Sequence, residues 1–599
     1  MQFNHQKQII IVVILFALFF ILYSLTAAPG VYDGDSGEIS AGVLKLGLLH
    51  PTGFPLYALT GRLFISLIPF GEPAFGLNIF SALVTAATVS ILFFALQKFN
   101  ISTIPSISTS AIFGLGQTIW SHAGTAQVYS LTLLFATILF YLFFTWLKNT
   151  KRVYIFFYIG ILGLALGTHI LILTMSVPLF VMLWTEKKYF VTNLSKILII
   201  MILMAAPLGQ YVYIPIAYQK QTIVTLGEIT SFAGFIDYLT QRDYSSKIIS
   251  RIGIQTYDFI SHVLKLFGSE FTWIFFVVGL LGLIIIFRRK RKIGIALCGT
   301  GIFNLLVMFF YGNNADLEIL YRYFFISYLV LSFGIAQVLH EAISHTRKQK
   351  FLVLIAAVFT LAAVNLFQNS YKTNDRHNHY IVADLTNNIL NSTDANAIIL
   401  SSGDTLTGPL WYAKAKGSRN DVVVIDTNLV TLDWYIRNQN RQHPDVVSQD
   451  LLTITGEEKQ ARLLSTLISN NITERPIYIT SLPSNPILTK DFEFIPIGVV
   501  NRVIKRGQPI DNLLTDAKKN WDKYNLRNVQ TDYYRNSFLE QLVLYYSIMA
   551  NNSGIYQLNN GHLGDAVALF EKSLAMNPNN KNFQKNLDYA NQLLREGSR

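Results

Sequence analysis

The feature that most constrains the fold is a series of apolar runs between residues 9 and 367. A membrane-spanning helix needs roughly 20 apolar residues, and counting by length and apolarity predicts about eleven spans. Only 14% of the residues are charged, whereas soluble domains have about 25%. We therefore expect a polytopic α-helical membrane protein. The approximate limits of the spans are 9–28, 78–97, 104–120, 128–147, 153–167, 170–184, 195–216, 271–287, 293–311, 321–340 and 351–367.

Basic residues between the runs predict how the chain is inserted. They follow the second, fourth, sixth, eighth and tenth spans. They are Lys98, Lys148 with Lys151 and Arg152, Lys187 with Lys188, residues 288–292 and residues 347–350. Short loops rich in Lys and Arg stay in the cytoplasm. The odd-numbered loops are then expected outside the cytosol. The same holds for residues 368–599, which follow the last span and are called the tail below.

Charge and cysteine content narrow the function classes. The net charge of +12 is concentrated in the short basic loops. The tail lacks the basic, aromatic-interleaved patch that a nucleic-acid binder shows, so we expect no nucleic-acid partner. Cys298 is the single cysteine. A tail outside the cytosol must then be held by its core without disulfides, which favours the inner membrane of a bacterium.

The tail has two predicted parts. Strand-like runs at 397–400, 422–425, 477–480 and 497–504 alternate with helix-like stretches such as 458–468. This alternation is typical of a small, partly parallel sheet. The sequence therefore predicts three domains. They are a transmembrane domain at 1–367, an extracytosolic α/β domain at 368–510, and a helical segment at 511–599.

The helical segment contains one motif. Residues 547–580 match a single tetratricopeptide unit, with Gly554, Ala566, Phe570 and Pro578 at its small, small, aromatic and terminator positions. One unit cannot bury its apolar face alone. A helical cap on the tail is therefore favoured over a peptide-binding scaffold.

Acidic residues cluster directly after the first span. Asp33, Asp35 and Glu38 lie within six residues of one another, and acids beside hydrocarbon are costly unless hydrated, paired or used. On a helix, the i, i+3 spacing puts Asp35 and Glu38 on one face, where they can take a proton from a nucleophile. The alternative is a capping box, with Asp35 as N-cap and Glu38 at N3. Spacing alone leaves both interpretations open.

Two apolar stretches follow, at 39–49 and 56–68. Each is too short to span a bilayer, so both are expected to be helices in the membrane interface. The turn between them contains His50, and the second stretch contains Arg62. A lone histidine in such a turn is more often structural than catalytic.

The first outer loop resembles the N-terminal signature of a family of GT-C glycosyltransferases, long without assigned function, whose animal relatives are protein O-mannosyltransferases. Its motifs are Asp35-Ser-Gly-Glu38, His50-Pro-x-Gly-x-Pro55, Gly61-Arg62, Pro69-Phe-Gly71 and Asn78-x-x-Ser81. Further matches are Trp120-Ser121, Val128-Tyr-Ser-Leu131, Gly167-Thr-His169, Tyr211-x-Tyr-x-Pro215, and in the tail Gly403-Asp404, Pro409-Leu-Trp-Tyr412, Asp421-Val-Val-Val424 and Asp433-Trp-Tyr-Ile436.

The resemblance implies a GT-C-like fold and a polyprenyl-phosphate sugar as donor. It implies Asp35 as catalytic base, with Glu38 assisting. His50, Arg62 and His169 are the candidates for holding the donor phosphate, although a helix-end histidine such as His169 is as often satisfied by backbone. We expect no metal ligands and no cofactor, with metal dependence left open.

Three further positions bear on the site. Gln127 stands where the family usually has Glu, and Gln cannot act as a base. Asp316 and Glu318 precede a span and are candidates to face the site. Gly403-Asp404 follows a predicted strand, where Asp404 is expected to be an N-cap.

The sequence thus predicts sugar transfer from a lipid phosphate to a hydroxyl of a protein or glycan, at the extracytosolic face of the bilayer. One alternative is a membrane transporter, against which the spans show no paired inverted halves and almost no internal charge. The other alternative is a non-enzymatic envelope scaffold built around the tail.

Overall fold

Helices make up most of the computed structural model, which describes residues 5–32, 34–191, 194–243, 254–311, 314–345, 349–529 and 537–597. Up to residue 377 the helices are α1 His5–Thr26, α2 Ser36–Lys45, α3 Pro55–Leu67, α4 Pro73–Lys98, α5 Thr103–Gly114, α6 Gln117–Ala123, α7 Val128–Asn149, α8 Val153–Ala165, α9 Ser176–Thr185, α10 Lys187–Val191, α11 Leu194–Leu208, α12 Tyr213–Gln219, α13 Phe232–Leu239, α14 Ile254–Arg289, α15 Arg291–Phe309, α16 Phe325–His345 and α17 Gln349–Asn374. Short 3₁₀ segments lie at Ile170–Met175, Gly209–Val212 and Asn314–Tyr323.

Eight helices in the described part of the chain are long and apolar enough to cross a membrane. They account for eight of the eleven expected spans. Two other expected spans correspond to shorter apolar helices, Val153–Ala165 and Ile170–Thr185, and the one at 104–120 is divided between α5 and α6. The eight are Gln6–Thr26, Pro73–Lys98, Val128–Asn149, Ser195–Gln219, Gln255–Arg289, Arg291–Phe309, Phe325–Ser344 and Gln349–Asn374.

The outward faces of these helices are suited to hydrocarbon. On α1 and α17, Leu25 and Leu361 each leave more than two thirds of the side chain exposed. In water, apolar surface on this scale would drive association or aggregation. Within a bilayer it costs nothing, and the helix satisfies its own backbone hydrogen bonds.

Strands and further helices occupy the tail. The strands are β1 Ile398–Ser401, β2 Val423–Asp426, β3 Ile477–Ile479, β4 Phe492–Pro496 and β5 Asn501–Lys505. The helices are α18 Ile381–Asn391, α19 Asp404–Ala415, α20 Asp433–Gln442, α21 Lys459–Asn471, α22 Pro486–Thr489, α23 Asp511–Lys523, α24 Ser537–Asn559, α25 Leu563–Met576 and α26 Lys581–Gly597.

One five-stranded sheet has the order β2-β1-β3-β5-β4. β1 is parallel to β2 and β3, whereas β5 is antiparallel to β3 and β4. The sheet is therefore partly parallel, as expected. All residues of β1 and β2 are buried, which is why each strand begins with three apolar residues. The run at 497–504 forms a strand only in its second half. β4 was not predicted, although its alternating Phe-Glu-Phe is typical of a half-buried strand.

The last three helices form a small cluster around Ala566, Phe570 and Ala590. α24 and α25 pack against each other, with the hydroxyl of Ser573 donating to the carbonyl of Ser547, and are joined by a turn at Gly561. The helical nature of this segment is confirmed, and its assignment as a tetratricopeptide repeat stays a prediction.

The chain divides into two compact units, each assembled from separate stretches. The helical unit consists of Met1–Ala28, His50–Ile216 and Ile229–His377. The α/β unit consists of Pro29–Leu49, Ala217–Glu228 and Asn378–Arg599. The second unit therefore contains Pro29–Leu49, called the acidic stretch below, and the loop at Ala217–Glu228, together with the tail.

Candidate active site

The acidic pair, Asp35 and Glu38, lies at the start of α2 in the α/β unit. Their carboxylate oxygens lie within 4.8 Å of each other. Asp35 is at the N-cap position with φ −69° and ψ −6°, but its side chain makes no capping hydrogen bond. The capping-box interpretation is therefore wrong. Glu38 is 8% exposed, so the two carboxylates combine one shielded group with one more accessible group.

The acidic pair is positioned by a close crossing of α2 and α19. A Cβ atom built on Gly37 would lie 2.4 Å from the carbonyl carbon of Gly408 and 2.5 Å from the nitrogen of Pro409. A Cβ atom on Gly408 would lie 3.1 Å from the backbone nitrogen of Glu38. The backbones therefore touch directly, and residues with side chains cannot replace both glycines without moving the helices.

Residues 36–43 of α2 are all buried. The expectation that the stretch at 39–49 lies in the membrane interface is therefore wrong, because protein covers this helix. Its apolar residues pack in a protein core. The sequence could not distinguish these two environments, because both select the same residue types.

α19 itself is fixed to the sheet by a buried polar contact. The hydroxyl of Thr407 donates to Oδ2 of Asp426 at 2.7 Å and accepts from the hydroxyl of Ser401 at 2.9 Å. The helix begins at Asp404, with Gly403 as its N-cap at φ 79°. The N-cap role expected for Asp404 is therefore wrong by one position. The segment is nevertheless the predicted strand-to-helix turn.

Other parts of the α/β unit hold the ends of the acidic stretch. The hydroxyl of Tyr32 is hydrogen-bonded to Nδ1 of His379 at 3.2 Å, and its ring packs edge-on against Phe538 at 5.3 Å. At the other end, the backbone of Leu48 pairs with Val224 and Leu226 at 3.0 and 2.9 Å. Asp33 lies outside the described residues.

The loop at 217–228 is held in turn by α20. Nε and Nη2 of Arg437 donate to the two carboxylate oxygens of Glu228 at 2.8 and 2.7 Å. Nδ2 of Asn438 donates to the carbonyls of Thr225 and Gly227. The tail thus supports the acidic stretch both directly, through α19, and indirectly, through this loop.

A histidine–aromatic cluster lies in the helical unit and comprises His50, Phe54, Tyr129, His169 and Tyr323. The ring of Phe54 stacks on His169 at 5.8 Å with an interplanar angle of 6°, and meets His50 edge-on at 4.9 Å. The ring centroids of Tyr129 and His169 are 5.3 Å apart, and the ring of Tyr323 contacts the rings of both Tyr129 and His169. The structure therefore brings together two of the predicted donor-binding residues, His50 and His169.

The tautomer of His169 follows from its backbone contact. Its Nδ1 accepts a hydrogen bond from the N–H of Leu171 at 3.1 Å. In the neutral ring an accepting Nδ1 leaves the proton on Nε2. His169 is thus satisfied by backbone, the alternative raised from the sequence. It is also a hydrogen-bond donor through its second nitrogen.

The turn before α3 orients His50 and Phe54. Gly53 has φ 80°, and a Cβ atom there would lie 3.0 Å from the hydroxyl oxygen of Tyr238. Phe54 has φ 43°, a left-handed conformation that is uncommon outside glycine and costs about 1–3 kcal/mol. Pro55 then begins α3 at a position where its missing N–H is harmless. Such strain is typical of a segment shaped for function.

Arg62 lies further along α3, roughly 10 Å from Pro55 at the helical rise. Leu59 and Leu63, at i−3 and i+1, are 42% and 58% exposed, and Leu59 shares the face of Arg62. Arg62 therefore borders an exposed apolar surface. This is the kind of face that an interfacial helix requires, and the interfacial placement of α3 stays a prediction.

Several residues near this cluster were not predicted from the sequence. His122 is buried, its Nε2 is 3.1 Å from the carbonyl oxygen of Arg322, and its ring is 4.9 Å from Tyr129. Burial, together with the nearby charges of Arg322 and Arg376, lowers the pKa of His122 to about 3 against an opposing hydrogen bond to the Arg322 backbone. His122 is therefore neutral at physiological pH and supplies no positive charge.

Arg376 and Tyr323 were also missed. Arg376 is 6% exposed and donates to the carbonyl and hydroxyl of Ser121 at 3.1 and 2.7 Å. No motif surrounds either residue, so only the fold reveals them. Gln127 is 5% exposed, and no residue in the described ranges hydrogen-bonds its Oε1. The side chains of Asp316 and Glu318 lie outside the described residues.

The acidic pair and the histidine–aromatic cluster differ in chemistry. The acidic pair offers bases and two oxygen ligands, a number that suffices for Mg²⁺ when substrate phosphates complete its coordination. The expectation of a metal-free site stays a prediction. The cluster offers neutral donors and flat apolar faces. The first part suits proton transfer, and the second suits binding.

Two family models match this chain. One is described as the Protein O-mannosyl-transferase TMEM260 N-terminal domain and covers residues 35–193. The other is described as TMEM260-associated domain 2 and covers residues 382–460. The first begins at Asp35 and includes the predicted donor-binding residues. The second includes α19 and α20, the helices that support the acidic stretch.

Curated relatives agree with these matches. Protein O-mannosyl-transferase TMEM260 of Mus musculus is 27% identical over 461 residues, 72% of this chain and 65% of the relative. Protein O-mannosyl-transferase tmem260 of Dictyostelium discoideum is 20% identical over 570 residues, 83% of this chain and 66% of the relative. The chain thus spans just under two thirds of the length of each relative.

A solved structure has the same fold. The crystal structure of ArnT from Cupriavidus metallidurans in the apo state matches with a TM-score of 0.51 at 12% identity, and the match covers 82% of this chain and 97% of ArnT. The expected GT-C-like membrane fold is therefore confirmed, together with the resemblance seen in the motifs.

Proposed function

We propose that this chain, a GT-C-fold multi-pass membrane protein similar to the TMEM260 protein O-mannosyl-transferases, transfers a sugar from a polyprenyl-phosphate donor to an acceptor hydroxyl. The observation that carries the proposal is the acidic pair. Its two carboxylates lie within 4.8 Å of each other, and glycine-to-glycine packing fixes the helix that bears them. The acceptor is a protein or a glycan outside the cytosol.

Asp35 is proposed as the general base. It takes the proton of the acceptor hydroxyl while that oxygen attacks the anomeric carbon of the donor. A bond forms between the acceptor oxygen and the anomeric carbon, the bond from that carbon to the phosphate oxygen breaks, and polyprenyl phosphate leaves. This single displacement inverts the anomeric configuration. Glu38 assists by stabilising the positive charge that develops on the sugar.

The donor phosphate is proposed to bind to His50, Arg62 and His169. His169 donates through Nε2, since its Nδ1 is already occupied by a backbone N–H. Arg62 supplies a permanent positive charge with the planar geometry that suits phosphate oxygens. Its exposed apolar neighbours Leu59 and Leu63 provide surface for the polyprenyl chain.

The proposed location is a bacterial inner membrane, with the tail outside the cytosol. The distribution of Lys and Arg among the short loops supports this orientation. In this arrangement residues 1–367 contribute the transmembrane helices, residues 368–510 the extracytosolic α/β domain, and residues 511–599 a helical segment. A reporter that is active only in the cytoplasm, fused after Arg599, should be silent, and an active fusion would contradict the orientation.

Sugar transfer is tested with the purified full-length protein. It is incubated with a panel of polyprenyl-phosphate sugars and with protein and glycan acceptors, and products are identified by mass spectrometry. We expect acceptor mass to increase by one sugar with at least one donor, and the Asp35→Asn variant to form little product. Translocation of a lipid-linked sugar across vesicles without any covalent product would support a transporter instead.

A further inference from the structure

A second candidate site lies at the carboxyl ends of the parallel strands in the α/β unit. The sheet order β2-β1-β3 means that the chain leaves β1 toward one side, to β2, and later returns to the other side, to β3. The connections therefore diverge between β1 and β3. In open sheets of this kind, ligands bind in the crevice outside the strand ends at such a switch point.

The structure has a crevice at this place. Its volume is about 400 Å³, within the range of roughly 300–1,000 Å³ that is typical of small-molecule sites. Turns after all three parallel strands line it, through Ser402, residues 427–428 and residues 481–485. The start of α21 closes one side with Glu458 and Gln460.

Hydrogen bonds hold the polar lining in place. Asp426 is 3% exposed and accepts from the backbone N–H groups of Asn428 and Leu429 at 2.8 and 3.0 Å. Gln460 donates through Nε2 to the carbonyl of Thr427 at 2.7 Å, and Asn485 donates through Nδ2 to Glu458 at 3.0 Å. Hydrogen bonds within the protein therefore connect the turns that line the crevice.

The charge of the lining selects the ligand. Of the residues that line the crevice, Glu458 carries a negative charge and none carries a positive charge. The N-terminus of α21 borders the crevice, and such a terminus ordinarily attracts anions. Glu458 already supplies negative charge at that position, which disfavours phosphate, carboxylate or nucleotide ligands.

We propose that this crevice binds a neutral saccharide. A saccharide presents many hydroxyl groups, which both donate and accept hydrogen bonds. Glu458 and the lining hydroxyls accept from them, and the side-chain amide of Asn428 donates to them. Leu482, which is 46% exposed, and Pro483 provide an apolar edge for the C–H face of a sugar ring.

The crevice is connected to the acidic pair through α19. Ser402 lines the crevice and precedes α19 by two residues, and Gly408 on the same helix contacts Gly37. A saccharide bound in the crevice would lie beside the start of α19, the helix that supports α2. Binding itself does not depend on the proposed transfer reaction, so the two proposals fail separately.

Binding is tested on the full-length protein in detergent. Ligand-observed NMR and calorimetry are run with methyl glycosides of mannose, glucose, galactose and N-acetylglucosamine, and with their short neutral oligosaccharides. Inorganic phosphate and an oligolysine peptide are the comparison ligands. We expect at least one neutral saccharide to bind, and neither comparison ligand to displace it.

Three variants test whether the saccharide binds in the crevice. Asn428→Ala combined with Gln460→Ala should weaken binding about tenfold or more, because the first removes a donor to the saccharide and the second removes the hydrogen bond that holds Thr427 in the lining. Ser481→Trp should block the crevice from an exposed position without disturbing the core. Asn470→Ala, an exposed amide in the last turn of α21, is the matched control and should bind normally.

Three results would overturn the proposal. They are no binding by any neutral saccharide, binding that survives both the double variant and Ser481→Trp, and displacement of the saccharide by phosphate or oligolysine. If transfer activity fails in the wild-type protein while saccharide binding is present and lost in the variants, the crevice stands and the proposed function falls.

Discussion

The acidic pair and the histidine–aromatic cluster are positioned by different kinds of contact. The pair sits on a helix that crosses another helix backbone to backbone, with Gly37 and Gly408 at the crossing. The cluster is held by ring contacts around Phe54 and His169, with centroid separations of 4.9–5.8 Å and stacked, tilted and edge-on geometries. Proton transfer tolerates little misplacement, whereas a charged or hydrogen-bonding group can follow a bound phosphate. In the proposed reaction, the close crossing would hold the base and the ring contacts would hold the groups that bind phosphate.

Asp35→Asn should have the largest effect. It removes the proposed base and keeps the shape of the side chain, so the rate of transfer should fall by about 10²–10⁴-fold. The measurement is the initial rate with saturating donor and acceptor. Because the side chain makes no capping hydrogen bond, the melting temperature should change little. Glu38→Gln should cost less rate than Asp35→Asn, and a folded Asp35→Asn protein with normal transfer would reject the assignment.

Gly37→Ala tests the close crossing of α2 and α19. The added Cβ atom would meet the carbonyl carbon of Gly408 at 2.4 Å, so α2 must shift. Because this shift misplaces the acidic pair, the rate of transfer should fall by about 10–10²-fold. Overpacking should also lower the free energy of unfolding by about 1–3 kcal/mol. The rate and the unfolding midpoint are both measured.

Gly30→Ala is the control for this substitution. Gly30 lies in the same stretch, and a Cβ atom there meets nothing within 4 Å. It should retain both rate and stability. If Gly37→Ala is as active as Gly30→Ala, rigid positioning of the acidic pair is not required, and the contrast between the acidic pair and the histidine–aromatic cluster loses its basis.

The sequence predicted the membrane helices and most of the sheet because each follows from a local pattern. Apolar runs such as Pro73–Lys98 need no partner to be recognised. The acidic stretch shows where this reasoning ends. Its apolar residues looked interfacial, yet they are buried by α19. Only a long-range contact, which leaves no local pattern, determines that environment.

Candidate site residues follow the same division. Asp35, Glu38, His50 and His169 were found through a motif resemblance, and the structure places them in two separate units. Arg376 and Tyr323 have no motif around them, so their roles beside Ser121 and His169 could be seen only in the fold. The structure explains part of the motif from Gly403 to Tyr412, because Gly408 within it contacts Gly37.

Arg62→Ala should have an intermediate effect. If Arg62 binds the donor phosphate in both the ground state and the transition state, its loss raises the KM for donor about tenfold and changes kcat little. Steady-state kinetics with varied donor measure both constants. Arg62→Lys should recover part of the affinity, because it keeps the charge and loses the planar contact. A collapse of kcat at unchanged KM would argue against this role.

Arg437→Ala should have the smallest effect, and it tests the indirect support of the acidic stretch. Arg437 pairs with both carboxylate oxygens of Glu228, but its side chain is 40% exposed. Exposed ion pairs contribute about 0–1 kcal/mol, so stability should fall by no more than about 1 kcal/mol. The rate should fall about two- to threefold, because the loop at 217–228 still pairs with Leu48 through backbone hydrogen bonds.

The control for Arg437→Ala is Arg475→Ala, which removes an ion pair with Asp445 in the same unit. That pair touches neither the acidic stretch nor the loop at 217–228. The two variants should lose similar stability, measured by thermal unfolding, and only Arg437→Ala should lose rate. Equal rates would show that the loop does not position the acidic pair. Rigid support would then come from α19 alone, and the comparison would rest on the single crossing at Gly37 and Gly408.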